Sequence, residues 1–382
     1  DSPSMSRSRT SSDSTNNAAE EDPEILESPG AGIISAIFNL TNTIIGGGIL
    51  ALPFTFGVTG VVLGVALLVI GAALVSYSSS LLTSLSVPPV SGGKSYKALS
   101  RTAFGVAGPI IVDLTLVLFL FGTMIGYIGI LGDLVTPLLA WPGLYLPKEL
   151  VQAMVCIFVL FPLCNLKHIH SLRFTSIVAV GCIVFFLVGV VIRGSQKIAS
   201  GLDTQDIILA KFDIQTFQTP PIIIFAFTFH PNIFPIWNEM RDSGTKTIQV
   251  AVFSAVGICF TTYFTVAIFG YLNFGSEITG NILNDFEGDL LFDIIKIGYS
   301  LIIMFSYPIL CYPLRNALDR LIFWNYQPIT HIRIFGFTAL VISSSYILAI
   351  LLPGIEIVFA YTGATGGALI VLIFPCCFYL LL

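Results

Sequence analysis

Apolar residues run in long blocks along this chain, broken at intervals by short polar or glycine- and proline-bearing stretches. A bilayer-spanning helix needs about 20 such residues. The blocks predict ten spans, at roughly 31–57, 58–85, 109–140, 149–166, 172–193, 220–240, 246–274, 289–315, 331–352 and 354–382. The third and eighth are long enough to tilt. The sixth is marginal, because Pro221, Pro231 and Pro235 fall in or beside it.

Composition agrees with the blocks. Hydrophobic residues make up 55% of the 382 positions and charged residues only 10%. A soluble domain carries about 25% charged residues, so most of this surface must meet lipid. A net charge of -5 gives no basic patch for nucleic acid. Residues 1–30 are polar and lack an apolar signal core, and are expected to form a disordered cytosolic tail ahead of a transmembrane domain spanning 31–382. The first span then serves as its own insertion signal.

With the tail in the cytosol, the inner side holds Lys94, Lys97, Arg101, Lys167, Arg173, Arg241, Lys246, Arg315, Arg320 and Arg333. The outer side holds Lys148, Arg193, Lys197 and Lys211. This bias predicts an N-terminus inside. The mixed apolar and basic segment Ser95–Gly105 reads as a short amphipathic helix on the inner surface or as a solvated loop. All seven cysteines lie in apolar runs without metal-ligand spacing, so neither a metal centre nor a loop disulfide is expected.

Two spans resist a continuous helix. The first reads FNLTNTIIGGGILALPF, with Gly46, Gly47 and Gly48 mid-span and Pro53 a turn later. At about 1 kcal/mol for each glycine and about 3 for the proline, a straight helix loses roughly 6 kcal/mol. The sixth reads FAFTFHPNIFPIWNEM, where Pro231 and Pro235 each remove a backbone donor. Breaks in spans one and six lie five apart, and two sets of five spans must run in opposite senses. Interrupted helices at matching positions of inverted halves point to a transporter's binding site. Glycine packing and proline kinks in an ordinary bundle would explain either break singly. Freed amides at helix starts suit a carboxylate and freed carbonyls suit a cation; a free amino acid carries both groups.

Near the breaks stand Thr41, Asn42 and, in span eight, Ser306 ahead of Pro308. Backbone oxygens of Thr41 and Ile44 with the Ser306 hydroxyl could ligate Na⁺, or these groups could simply bond helix to helix. His230 is a proton-carrier candidate or a structural histidine facing the bundle interior. Asp113 and Asp133 read as titrating groups or as snorkelling, end-capping ones. His168 and His170, beside Lys167 and Arg173, read as interface anchors. No nucleotide-binding or hydrolase motif is present, so no enzyme is expected.

The first span resembles that of the amino acid/auxin permease family, most closely its sodium-coupled neutral amino acid transporter branch. SYKALSRTAFG, FAFTFHPNIFPIWNEM, YPLRNALDRLI and YTGATGGALIVLIFP resemble that family's inner-loop segment and its sixth, eighth and tenth spans. The resemblance implies an all-α membrane protein of the LeuT type, with two inverted five-helix repeats and broken first and sixth helices. It implies symport of a small neutral amino acid with Na⁺ or H⁺ by alternating access, without a bound cofactor and as a monomer. The substrate would meet Ile45, Gly46, Gly47, Gly48, Phe227, Thr228 and His230. Na⁺ would meet Thr41, Asn42, Ile44 and Ser306. The family's usual eleventh helix has no counterpart before Leu382, so a truncated chain is expected. Residues 194–219 contain no cysteine where the sodium-coupled branch often has a disulfide. The membrane is therefore the plasma membrane or a vacuolar or lysosomal one, the latter favouring H⁺. The rival reading is an amino-acid-binding receptor or nutrient sensor that signals through the tail. A channel would need a continuous polar stripe, which the spans lack.

Overall fold

The computed structural model of the protein describes residues 31–86, 95–140, 143, 145–166, 175–201, 207–242, 244–323 and 330–382. The expected tail at 1–30 and the anchors His168 and His170 lie outside the described residues.

Span one divides into α1 (Ile33–Ile44), then a 3₁₀ turn (Gly47–Ala51) leading into α2 (Leu52–Thr59). The axis bends by 49° between the two halves. Next come α3 (Val61–Leu85), α4 (Tyr96–Phe104) and α5 (Ala107–Ala140). Span four is composite: α6 (Lys148–Val155), a π turn (Cys156–Leu160) and α7 (Phe161–Cys164). Span five is α8 (Thr175–Ala199), and span six is α9 (Thr219–Ala226) with α10 (His230–Glu239). The remainder is α11 (Thr245–Phe274), the short α12 (Ile282–Asp285), α13 (Leu290–Phe323), α14 (His331–Leu351), and α15 (Ile355–Thr362) continuing through π turns to α16 (Phe374–Leu381). Among the described residues, seven helices are individually long and apolar enough to cross a membrane, and the bent first pair makes an eighth. Spans four and six, being built from short pieces, complete the ten.

Two helices outrun their apolar blocks. α8 continues past 193 because Arg193 donates to Asp289 at 2.6 Å and to Gln196 at 2.8 Å. α13 continues past 315 because its last polar turns are paired. There Asp319 bonds Arg333, and Arg320 grips both oxygens of Asp113, at 3.1 and 2.8 Å. Lys97 of α4 also reaches Asp113, at 2.9 Å. Asp113 is thus a buried junction of α4, α5 and α13 rather than a snorkelling end group. Ser95 caps α4, accepting the Ala98 amide at 3.0 Å, so the segment Ser95–Gly105 is helical, as one of its two readings had it.

Cross-links join the two halves at each face. On the face where α1 begins, Ala31 pairs with the end of α10, through Ala31 N–H to Glu239 O at 2.9 Å and Arg241 N–H to Ala31 O at 3.0 Å. On the opposite face the Val61 and Val62 amides reach Ile208 O and Leu209 O, and Lys211 N–H reaches Thr59 O. Gly60, at φ 76°, turns the chain there, and an added Cβ would lie 2.6 Å from Ile208 O. Asp133 pairs with Lys148 and accepts from Asn281 at 3.2 Å, so it ties α5 to α6 and to the chain before α12. In the interior, α5 packs along α13, and α11 packs on α1, α2, α3 and α8.

Candidate functional site

The break in span one begins as an inverse γ-turn. Ile45 has φ -78° and ψ 87°, and the Gly46 amide donates back to Ile44 O at 2.9 Å. The 3₁₀ turn that follows has no side-chain cap at Gly46. In span six, α9 stops at Ala226, Phe227 to Phe229 leave the helix, and α10 starts at His230 without a side-chain cap. Both first halves therefore aim carbonyl ends at mid-membrane. Both second halves aim free amides there, with the positive sense of the helix dipole.

The two breaks touch. A Cβ on Gly48 would stand 2.8 Å from the Ala226 Cα, closer than side chains approach. Gly48 is therefore a glycine because span six backbone occupies the space a methyl would need. Gly46 and Gly47 face Tyr127 instead, with added Cβ atoms 3.1 Å from its hydroxyl and 3.0 Å from its ring.

Three tyrosines surround the first break, each from a different span. Tyr299 of α13 donates to Gly46 O at 2.8 Å. Tyr263 of α11 lies 2.7 Å from Ile44 O and 2.9 Å from Ala226 O, bridging the carbonyl ends of both spans. Tyr127 of α5 meets the Gly47 amide. These residues were not singled out in the sequence. The available signal was depth, since tyrosine ordinarily gathers at membrane interfaces and these three fall mid-span.

A cavity of about 410 Å³ opens beside the breaks, bounded by spans one, three, five, six and eight. Of the predicted substrate residues, Ile45, Gly46, Gly47, Gly48 and Thr228 line it. Phe227 and His230 do not. Phe227 is fully buried with its ring 4.9 Å from that of Tyr263. His230 faces α3, where Nε2 lies 2.8 Å from Ser78 Oγ. The Ser78 hydroxyl also donates to Val75 O at 3.1 Å. In that arrangement its oxygen accepts from a protonated Nε2, and Nδ1 is a buried acceptor without a partner.

Of the predicted ion residues, Asn42, Ile44 and Ser306 line the cavity and Thr41 does not. Thr41 Oγ1 is buried without a partner, while its carbonyl takes the Ile45 amide at 2.9 Å and lies 3.9 Å from the Cys259 thiol. Both lone pairs of Ile44 O are engaged, one by the Gly46 amide and one by Tyr263. Among the described residues the cavity lining carries no charged side chain; its walls mix apolar residues, among them Leu116, Phe119, Leu120 and Ile303, with uncharged polar ones such as Thr123 and Asn232. Among the described residues no cluster of three or more His, Cys, Asp and Glu side chains could hold a metal ion.

Residues 29–382 match the family described as transmembrane amino acid transporter protein. The chain is 31% identical over 377 residues to amino acid transporter AVT6B of Arabidopsis thaliana, covering 91% of this chain and 81% of that protein. It is 30% identical over 365 residues to vacuolar amino acid transporter 5 of Schizosaccharomyces pombe, covering 90% and 83%. Among solved structures, MhsT in complex with L-phenylalanine aligns with a TM-score of 0.57 at 13% identity, covering 92% of this chain and 89% of that one. A Na⁺-coupled sialic acid symporter aligns with a TM-score of 0.53 at 14% identity, covering 84% and 72%. These two neighbours share the LeuT-type fold of paired five-helix repeats that the two breaks and their cross-linked halves display. The chain is a multi-pass membrane protein that belongs to the transmembrane amino acid transporter family, the amino acid/auxin permeases, a family of transporters rather than enzymes.

Proposed function

We propose that this protein is a secondary active transporter that carries small neutral amino acids with Na⁺ by alternating access. The observation that carries the reading is the contact of Gly48 with Ala226, which brings two uncapped helix starts to one cavity. The amide freed at Gly48 suits the substrate carboxylate. The absence of a charged lining residue disfavours acidic and basic side chains, because a buried charge without a partner is costly. Family membership and the names of the relatives support amino acid transport.

Asn42 and Ser306, which line the cavity, would hold the cation. His230 faces Ser78 and not the cavity, which favours Na⁺ over a proton carried on that ring. Each chain contains both repeats and the whole cavity, so the working unit is a monomer. The lysine and arginine bias supports an N-terminus in the cytosol. The plasma membrane and a vacuolar membrane both fit; the similarity to a vacuolar relative favours the second.

Uptake of labelled neutral amino acids into vesicles carrying the purified protein tests this reading. Replacing Na⁺ by choline should abolish accumulation. Asn42→Ala and Ser306→Ala should each raise the Na⁺ concentration for half-maximal uptake at least tenfold, or about 1.4 kcal/mol. Uptake that ignores Na⁺ and follows a pH gradient would transfer the coupling to H⁺. Binding without accumulation would favour a receptor.

A further inference from the structure

Helix carbonyl ends that meet at mid-membrane are where transporters of inverted-repeat design coordinate their cations. Here two such ends meet, Ile44 O of α1 and Ala226 O of α9, and the group between them is a phenol. The Tyr263 hydroxyl stands 2.7 Å from the first and 2.9 Å from the second. Ile44 O has no remaining acceptor capacity, since the Gly46 amide takes its other lone pair. Tyr263 is fully buried, and its ring is held edge-on against Phe227, 4.9 Å between centroids. Cys259, one turn earlier on α11, faces Thr41 O, so this helix runs along the carbonyl end of α1.

We infer that Tyr263 fills with a hydroxyl the place where the two carbonyl ends would otherwise hold a cation, and so limits the transporter to one coupling ion per amino acid. A hydroxyl dipole supplies positive potential to both carbonyls without importing a charge. It has one hydrogen for two acceptors, so it leaves one carbonyl short of a full hydrogen bond. Removing the hydroxyl leaves Ala226 O without that donor and Ile44 O with the Gly46 amide alone, and an under-satisfied buried carbonyl is costly. A small hard cation then satisfies both, since oxygen ligands are what such ions take. Tyr263 is thus a positioning residue that sets ion count, while Asn42 and Ser306 remain the single cation locus.

The inference rests on the transport reading above, and the experiment separates the two. Full-length protein in vesicles is clamped at known potentials, and the reversal potential of amino-acid-driven current gives charge moved per amino acid. The wild type is expected to move one cation per neutral amino acid. Tyr263→Phe keeps the ring against Phe227 and is expected to need a second: its uptake should fall at least tenfold at low Na⁺, recover at high Na⁺, and show a coupling ratio near two. Tyr299→Phe frees a carbonyl at only one break and should keep a ratio of one. Binding of ²²Na⁺ to purified wild type and Tyr263→Phe provides a count without flux. An unchanged ratio and unchanged Na⁺ stoichiometry in Tyr263→Phe, with only slower uptake, would reduce Tyr263 to a structural bond and overturn the inference. A wild-type ratio of two or more overturns it with no variant needed. Absence of uptake in the wild type itself would instead remove the transport reading.

Discussion

Gly48 makes the sharpest demand at the scale of single residues. Its missing Cβ leaves room for the Ala226 backbone, which has no rotamer with which to withdraw. Gly48→Ala must therefore push span one from span six, an overpacking cost of about 1–3 kcal/mol. The expected result is a greater than tenfold loss of amino acid uptake with protein still folded, as judged by size-exclusion profile and melting temperature. Gly32→Ala meets nothing within 4 Å and should transport normally. Gly46→Ala, facing only the Tyr127 hydroxyl at 3.1 Å, should fall between them. The sequence made this triplet conspicuous as a helix breaker. It could not rank the three, because the rank depends on which neighbour each glycine faces, and neighbours come from spans far away in the chain.

Elements are held in register by polar ties at their ends, and one of these is sensitive to pH. Asp289 precedes α13, caps it by accepting the Leu291 amide at 3.0 Å, and takes the Arg193 Nε at 2.6 Å from the end of α8. The Arg193 hydrogen bond, followed by the capping amide, holds this carboxyl below its ordinary value. A depressed carboxyl contributes stability above the unfolded carboxylate range, and that stability is lost as pH falls through the lower folded value. The tie therefore stays closed in a mildly acidic compartment. Being near the surface and screened by solvent, it contributes little to stability. Asp289→Asn should lower the melting temperature slightly at neutral pH, and the gap to wild type should close below the carboxylate range. A gap that persists unchanged at low pH would show that the cap, not the charge, does the holding. The element pattern itself was readable: hydrophobic length gave ten spans, and glycine and proline chemistry located both interruptions, since those effects are local. The extra turns of α8 and α13 were not readable. Their polar residues look like loop until the partners Asp289, Asp113 and Arg333 are seen beside them. Tyr127, Tyr263 and Tyr299 escaped for the same reason, since no periodicity along one span reports which other span lies against it.

The whole molecule has a direction. The cavity walls Leu116, Phe119, Ile309 and Pro313 all lie on the halves of their spans nearer the face where α1 begins. Asn232 and Pro235, exposed and in the same lining, mark its mouth in the corresponding half of span six. Toward the other face the breaks are covered. Tyr127 stands against Gly46 and Gly47, and the Phe225 ring stacks on Phe359 of α15 at 4.2 Å. Beyond them Asp133, Lys148 and Asn281 hold that face together. The cavity beside the breaks thus opens toward the N-terminal face, and a separate pocket of about 280 Å³, lined by Asp133, Lys148 and Asn281, lies toward the opposite one. The proposed alternating access then requires the Phe225–Phe359 stack to part while the mouth at Asn232 shuts. Cysteine placed at Asn232 or Leu116, with exposed Cys376 and its neighbour Cys377 replaced, should react with a membrane-impermeant thiol reagent applied from the N-terminal face. Cysteine at Ile130, buried behind the plug against Gly47, should not react from either face at rest. Saturating amino acid and Na⁺ should slow labelling at Asn232 as the carrier cycles away from this state. Labelling of Asn232→Cys only from the face opposite the N-terminus would reverse the direction assigned to the cavity.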